Sequence, residues 1–301
     1  MKKKNLLRVV SACLTGTLLA FSGCTQSASP SEEETPRTPE YTIDMALTEE
    51  YQANDELFAV KNVVKKEDNP LAGKTFYWLG SSVTYGSASQ TESMADYLAA
   101  MTGCISKKEA VSGTTLYDDG GTGDSGVKSY TRRLTTSTVF DPEEKIDAFI
   151  CQISTNDARS NRLSKWGSMT DETVFSQSSF NRATTLGGVE FIISYVIDTW
   201  NCPVYFYSGG YFGDDGIRKG TNPKGSDYGR LVDEVIKICK KWSDFGFEVG
   251  VIDLYHDAEF NAQATDEYYT WCMSDAIHPK RAGYLQWWTP YFENRLICDK
   301  I

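Results

Sequence analysis

The stretch Phe76-Tyr-Trp-Leu-Gly-Ser-Ser-Val-Thr-Tyr-Gly86 decides how the chain folds. Its first four residues are apolar or aromatic, and the run then stops at Gly80-Ser81-Ser82. An apolar run of this length that ends in glycine and serine is typical of a buried strand followed by a tight turn. The pattern therefore predicts a strand over Thr75–Leu79 that carries the hydroxyl of Ser82 to the edge of a sheet.

From Lys74 onward, segments of strand pattern alternate with longer segments of helical pattern. Such alternation is typical of a parallel sheet with helices on both faces. The sequence therefore predicts an α/β fold, a three-layer αβα sandwich with a central, mostly parallel five-stranded sheet. The predicted strands are Thr75–Leu79, Ile105–Val111, Ala148–Ile153, Val204–Tyr207 and Glu248–Ile252, and the predicted helices are Glu92–Met101, a short one within Gly126–Thr135, Gly188–Thr199, Ser226–Trp242 and Ala282–Leu296.

Three candidate site residues, Ser82, Gly113 and Asn156, each follow the end of a predicted strand. In open α/β sheets the reactive groups gather beyond the carboxyl ends of the strands, so these residues are expected to converge on one edge. A serine hydroxyl is a weak nucleophile unless a base takes its proton. His278 is the candidate base, because Asp275 lies three residues before it and can reach Nδ1 in a compact turn.

Each of these residues also has an ordinary structural explanation. A Gly-Ser-Ser turn is common, Gly113 can be a turn glycine, and Asn156 with Asp157 can close a strand end through side-chain to backbone bonds. What favours the catalytic interpretation is their joint order and placement. His256 is the rival base, and its charged neighbours favour a surface residue instead.

Four blocks of the sequence resemble those of the SGNH hydrolases, the GDSL-like esterase and lipase family. The blocks are Gly80–Gly86, Ser112-Gly113, Ser154–Asp157 and Asp275–Pro279, and the resemblance covers residues 74 to 295. It implies the flavodoxin-like SGNH fold and an enzyme that hydrolyses carboxylic esters without a metal or cofactor. Carried over residue by residue, it implies that Ser82 is the nucleophile, His278 the base and Asp275 its orienting partner, with the Ser82 amide, Gly113 and Asn156 as oxyanion donors.

Two positions depart from the family pattern. Ser81 stands where the family usually has Asp, and Ser154 stands where the third block usually has Gly. The resemblance implies an acetyl or short acyl ester, on carbohydrate or another small alcohol, with lysophospholipase or thioesterase activity as less common options. The competing hypothesis is a surface binding protein that keeps the fold with an inactive site, and the two departures motivate it.

The start of the chain has the pattern of an export signal. Lys2, Lys3 and Lys4 precede a short apolar run, Leu6–Phe21, which is too short to span a membrane as a helix. Ser22-Gly23-Cys24 resembles a lipobox, which predicts that Cys24 carries lipid. We expect residues 1–23 to be a lipoprotein signal peptide and the protein to be exported and anchored in the cell membrane, facing the extracytoplasmic side.

The domain organisation follows from composition. Residues 24–40 are rich in Ser, Thr, Pro and Glu, which predicts a disordered tether. Residues 41–73 are expected to be a lead-in segment packed on the domain, with a helix within Thr48–Val64, and residues 74–301 form the predicted hydrolase domain.

The net charge of the chain is −11, and removal of residues 1–23 takes away four basic residues and no acid, which leaves −15. So acidic a protein is not expected to bind nucleic acid. The six cysteines after Cys24 are scattered without a Cys-x-x-Cys pair, and most lie in apolar runs, which favours buried thiols over a disulfide framework. Only two histidines are present and no residues have the spacing of a zinc site, so no metal is expected.

Two long loops, 159–187 and 208–225, are rich in Ser, Gly, Asn and aromatic residues. Loops of this length in a compact domain are usually functional or disordered. Trp166, Tyr211 and Phe212 are candidates for a sugar platform or the walls of an acyl site, and they are as readily explained as cover for an edge of the core. Trp287 and Trp288 are expected to lie in the core.

Overall fold

The structure is a computed structural model that describes residues 52–118, 120 and 129–298. The predicted signal peptide, Cys24, the tether and the start of the lead-in lie outside the described residues. Within the described part, no helix has the length and the apolar character needed to cross a membrane.

The core of the fold is a five-stranded sheet. Its order is β2-β1-β3-β4-β5, and every neighbouring pair is parallel. The predicted α/β sandwich is therefore confirmed, and the sheet is parallel throughout its described strands. The strands are β1 (Thr75–Gly80), β2 (Ile105–Ala110), β3 (Ala148–Gln152), β4 (Val204–Tyr207) and β5 (Val249–Ile252).

Helices cover both faces of the sheet because the side chains of β1 alternate between two cores. Phe76 and Trp78 belong to one buried cluster, whereas Tyr77 and Leu79 belong to the other. The helices are α1 (Ser82–Tyr85), α2 (Met94–Thr102), α3 (Tyr130–Thr136), α4 (Thr185–Trp200), α5 (Gly225–Asp244), α6 (Ala258–Ala262), α7 (Asp266–Cys272), α8 (Arg281–Gly283) and α9 (Thr289–Cys298), with a π-helical stretch Tyr284–Trp288 between the last two.

Residues 52–73 pack on the domain but do not form the predicted helix. Between residues 52 and 64 the chain has two 3-10 turns, Glu56–Phe58 and Val60–Asn62, separated by Ala59 in an extended conformation. Tertiary contact overrides local propensity here, because the Phe58 side chain is fully buried and its carbonyl accepts a hydrogen bond from the hydroxyl of Tyr97 at 2.8 Å.

The cysteines and tryptophans mostly follow the sequence prediction. Trp287 and Trp288 are buried in the core. Cys298 is exposed, because it lies on the last turn of α9, so the prediction of burial is wrong for it. The buried free cysteines are Cys104, Cys151, Cys202, Cys239 and Cys272.

The aromatic residues of the two long loops do not form a common platform. Phe212 is buried and stacks on Tyr228 with ring centroids 5.5 Å apart, so it belongs to the core. The Trp166 indole donates to the carbonyl of Asp157 at 2.8 Å, which pins its loop to the segment after β3. Tyr211 is exposed. Of the two interpretations offered for these aromatic residues, cover for the core is the correct one for Phe212.

Candidate active site

Ser82 lies in the tight turn where β1 passes directly into α1. The side-chain oxygen of Gln152, at the end of β3, accepts hydrogen bonds from the Ser81 amide at 2.9 Å, the Thr84 amide at 3.2 Å and the Thr84 hydroxyl at 2.8 Å. Gly80 is required by this close approach, since a Cβ there would lie 1.7 Å from Thr84 Oγ1. A neighbouring strand therefore fixes the turn that presents Ser82.

The loop before α8 carries His278 and Asp275. Met273 pairs with Pro279 in an antiparallel bridge, and the Ser274 amide donates to the His278 carbonyl at 2.8 Å. Inside this closed loop the Asp275 carboxylate accepts the amides of Ile277 at 2.7 Å and of His278 at 2.9 Å. The carboxylate is thereby held beside the imidazole ring.

The structure brings Ser82, His278 and Asp275 into one chain of hydrogen bonds. His278 Nε2 lies 2.7 Å from Ser82 Oγ, and His278 Nδ1 lies 2.9 Å and 2.8 Å from the two carboxylate oxygens of Asp275. With its proton on Nδ1, the imidazole donates to the carboxylate and leaves Nε2 free to accept the serine proton. The distances match those of an activated nucleophile.

The Asp275 carboxylate is charged under ordinary conditions. Burial acts to raise the pKa of Asp275, but the hydrogen bond and charge of His278 and the amides of Ile277 and His278 outweigh it, so the pKa lies below its ordinary value. A charged carboxylate favours the imidazolium that forms when His278 takes a proton.

Two amides at the site are free to bind an oxyanion. Neither the Ser82 amide nor the Gly113 amide donates to another described residue. Gly113 has φ +81, which favours glycine, and no atom of a described residue lies within 4 Å of where its Cβ would be. As far as the described residues go, a substrate group can therefore approach the backbone at Gly113.

Asn156 is held next to the Gly113 loop. It is buried, and its side-chain nitrogen donates to the Thr114 carbonyl at 3.1 Å, which leaves the second amide hydrogen for another acceptor. Ser154 donates its hydroxyl to the same carbonyl at 3.0 Å and accepts the Asn156 amide at 3.2 Å. Ser154, which stands where the family usually has glycine, therefore braces the turn that carries Asn156.

Asp157 positions the loop after Gly113, a role that the sequence did not predict, since Asp157 was considered there only as part of a strand-end turn. Its carboxylate is fully buried and accepts the Leu116 amide at 3.0 Å and the Thr185 hydroxyl at 2.9 Å. It therefore ties the loop after Gly113 to the start of α4.

Arg133 and Gln152 are two further supporting residues that the sequence did not single out. The buried Arg133 guanidinium donates to the Gly80 carbonyl at 2.8 Å and to the Thr114 hydroxyl at 3.1 Å, so it joins the turn that carries Ser82 to the loop after β2. The usable signal for Gln152 was a lone polar side chain inside the apolar run Ala148–Ile153, since a buried polar group requires partners.

The burial of Asp157 predicts a pH-dependent stability. Burial raises the pKa of this carboxyl from 3.8 to about 6, despite the hydrogen bonds from Leu116 and Thr185. The folded protein thus favours the protonated form, and the stability that this group contributes below about pH 4 is lost as pH rises through about 6. Relative to an Asp157→Asn variant, which cannot ionise, the free energy of unfolding of the wild type should fall by about 2 kcal/mol between pH 4 and pH 7.

Urea unfolding of both proteins at pH 4 and pH 7 measures this difference. The Asn side chain changes the free energy of unfolding by an amount that does not depend on pH. The informative quantity is therefore how the difference in unfolding free energy between the two proteins changes with pH. A difference that stays constant would show that Asp157 does not titrate in this window.

His256 forms a second Asp–His pair but faces no hydroxyl. Its Nδ1 lies 2.8 Å from Asp253, as in the Asp275–His278 pair, yet its Nε2 faces the Asp233 carboxylate at 3.7 Å. The ring is exposed, as its charged neighbours predicted. Its geometry offers no nucleophile to activate.

The described residues contain no group of three or more His, Cys, Asp or Glu side chains placed to hold a metal ion. The absence of a metal or cofactor in the reaction stays a prediction. The arrangement that is present can move a proton from Ser82 to His278 and can offer N–H donors to a developing negative charge.

No protein-family model and no curated protein sequence matches the chain. Solved structures do match it, and one covers 76% of this chain and 98% of its own with 19% identity and a TM-score of 0.55. A protein from Lactobacillus plantarum covers 75% of this chain and 98% of its own with 20% identity and a TM-score of 0.52. A family two carbohydrate esterase from Clostridium thermocellum, solved with cellohexaose, matches 75% of this chain and 65% of its own with 17% identity and a TM-score of 0.47.

These likenesses concern the fold. The first two structures confirm the architecture that the resemblance to SGNH hydrolases implied. At such identities the chemistry of this chain rests on its own residues and their geometry.

Proposed function

We propose that this chain is a serine esterase of the SGNH type, which transfers an acyl group from an ester to water through a seryl intermediate. The observation that carries the proposal is the line of hydrogen bonds from Ser82 Oγ through the His278 ring to Asp275, with distances of 2.7 Å and 2.8 Å. The free amides of Ser82 and Gly113 and the side chain of Asn156 support it as donors to the oxyanion.

The reaction would proceed in two halves. His278 Nε2 takes the Ser82 proton as Oγ attacks the ester carbonyl, and the bond to the alcohol oxygen breaks as the imidazolium returns the proton to it. Water then enters, His278 takes one of its protons, and the hydroxide attacks the acyl-serine. The C–Oγ bond breaks, Ser82 regains its proton and the carboxylic acid leaves.

The acyl group is proposed to be acetyl or another short acyl group, on a carbohydrate or another small alcohol, as the resemblance to SGNH hydrolases implies. Lysophospholipids and thioesters are the other substrate classes to test. A panel of 4-nitrophenyl acetate, acetylated sugars, a lysophospholipid and an acyl thioester separates them. We expect hydrolysis of the aryl acetate and of at least one acetylated sugar, and failure on every member of the panel would refute the esterase proposal.

An inactive binding protein with the same fold is the alternative function. Ser81 and Ser154 motivate it, since both depart from the family pattern. The geometry does not favour it, because the Ser81 amide is anchored by Gln152 and the Ser154 hydroxyl braces the Asn156 turn. A fluorophosphonate reagent distinguishes the two, because only an activated serine reacts quickly with it. Rapid labelling of Ser82 supports the enzyme, and no labelling supports the binder.

We also propose that the protein is exported and held in the cell membrane by lipid on Cys24, facing the extracytoplasmic side. The support is the Ser22-Gly23-Cys24 sequence after an apolar run of signal length. A Cys24→Ser substitution should move the protein out of the membrane fraction or leave it unprocessed. An unchanged distribution together with unchanged processing would rule out the lipid anchor.

A further inference from the structure

A cleft of about 500 Å³ adjoins the imidazole of His278. One wall is the loop that carries Asp275 and His278, and the other consists of Arg159 and the loop segment 217–222. The Ser160 amide donates to the Asn222 side chain at 3.1 Å, which joins the segment after β3 to the loop after β4. Arg159 and Lys219 therefore lie on two connected loops at the same cleft.

The cleft lies where the alcohol part of an ester substrate would extend. In the proposed reaction His278 Nε2 gives its proton to the departing alcohol, so the alcohol leaves on the imidazole side of Ser82. His278 is among the described residues that line the cleft and Ser82 is not, so the cleft begins beyond the imidazole ring. A substituent on the alcohol is thus the part of the substrate that would enter it.

The charge of the cleft differs from that of the whole chain. Neither Arg159 nor Lys219 has a carboxylate within 4 Å among the described residues. Asp275 is the acidic residue in the lining, and its carboxylate is already engaged by His278. In a chain with a net charge of −11, two unpaired cations at one cleft are not expected from composition alone.

Arg159 and Lys219 are both exposed, so a ligand can reach them from solvent. Partial burial lowers the pKa of Arg159 most, and the positive charge of Arg162 lowers it further, so a nearby anion would favour the charged form. By contrast, the nearby Arg218 is occupied, because its guanidinium packs over the Tyr269 ring at 4.7 Å and donates to the carbonyls of Asn261 and Ala264. An anion between Arg159 and Lys219 would supply the missing counter-charge.

We propose that this cleft binds a carboxylate on the alcohol part of the ester, so that the enzyme prefers acidic ester substrates. Arg159 and Lys219 are the residues that bind the carboxylate. The role of this site in catalysis rests on the proposed esterase function. Its preference for a carboxylate rests on the unpaired charges of Arg159 and Lys219.

The test uses two esters that differ in charge, 4-acetoxybenzoate and its methyl ester. The measured quantity is the ratio of kcat/KM for the anionic ester to kcat/KM for the neutral ester, because the ratio cancels changes that affect both. In the Arg159→Met/Lys219→Met double variant, the ratio should fall by about tenfold or more relative to the wild type. In the wild type, added salt should also lower the ratio.

Lys240→Met is the matched control, since it removes one positive charge elsewhere. Lys240 pairs with Asp244 at the end of α5, beside the edge where β5 begins, and so at the opposite end of the sheet. The Lys240→Met variant should have the same ratio of kcat/KM for the two esters as the wild type. The inference is overturned if the double variant keeps the wild-type ratio or if Lys240→Met lowers it as much.

The outcomes also separate this inference from the esterase proposal. If the neutral ester is hydrolysed and the ratio does not change in the double variant, the carboxylate site is wrong and the esterase stands. If neither ester is hydrolysed, the esterase proposal fails, and calorimetric titration of 4-hydroxybenzoate into the wild type and the double variant tests the site directly. Weaker binding by the double variant then supports the site, and equal or absent binding refutes it.

Discussion

A Ser82→Ala variant is expected to lose about 10⁴-fold or more of kcat/KM for 4-nitrophenyl acetate. The substitution removes the one hydroxyl that lies 2.7 Å from His278 Nε2, so no acyl-enzyme can form. The fold should persist, because Gln152 anchors the turn through Ser81 and Thr84 and does not bind the Ser82 side chain. Spectrophotometric assay and thermal unfolding of the same preparation measure both quantities.

Ser87→Ala is the matched control for this prediction. Ser87 lies one residue after the end of the Gly80–Gly86 block, and it is exposed. Its substitution should leave kcat/KM within about twofold of the wild type, as is usual for surface changes away from a site. Turnover by the Ser82→Ala variant at the wild-type rate would show that the nucleophile has been assigned wrongly.

A His278→Ala variant is expected to lose about 10⁴-fold or more of kcat, because no other described base lies within hydrogen-bonding distance of Ser82 Oγ. His256→Ala is the sharpest control that the chain offers. His256 has the same orientation toward an aspartate three residues earlier, but its Nε2 faces Asp233. The His256→Ala variant should keep its activity within about twofold of the wild type.

The pair of histidine variants has one clear contradicting outcome. If the His256 substitution abolished activity and the His278 substitution did not, the base would be His256 and the resemblance of the last block would be misleading. The same assay and the same unfolding measurement apply to both proteins, so a loss of fold is separable from a loss of chemistry.

The sequence predicted β1, β3, β4 and β5 well because these strands are largely apolar runs bounded by turn residues, whereas β2 is mostly polar and only partly buried. Ser82, Gly113 and Asn156 follow three strands of the sheet, so their meeting at one edge followed from the parallel topology. The choice between the two histidines did not follow from spacing, because Asp253–His256 and Asp275–His278 have the same separation. What distinguishes them is the group that faces Nε2, which only the fold determines.

Other features were beyond the sequence because they depend on contacts between distant residues. Gln152 and Asp157 bind segments dozens of positions away in the sequence, so their partners cannot be read from the residues around them. The helix predicted within Thr48–Val64 failed in its described part because Phe58 is buried against the domain. The proposed carboxylate site beside His278 depends on which cations lack an acidic partner, and the sequence does not show how the charges pair.

Trapping of the acyl-enzyme shows whether Ser82 is the nucleophile. The protein is mixed with 4-nitrophenyl acetate and quenched in acid on the millisecond to second scale, and the peptide that contains Ser82 is then examined by mass spectrometry. We expect one acetyl group on Ser82 in the wild type and none on this peptide in the Ser82→Ala variant. Hydrolysis at the wild-type rate with acetyl on another residue, or with Ser82 never acetylated at any quench time, would contradict it.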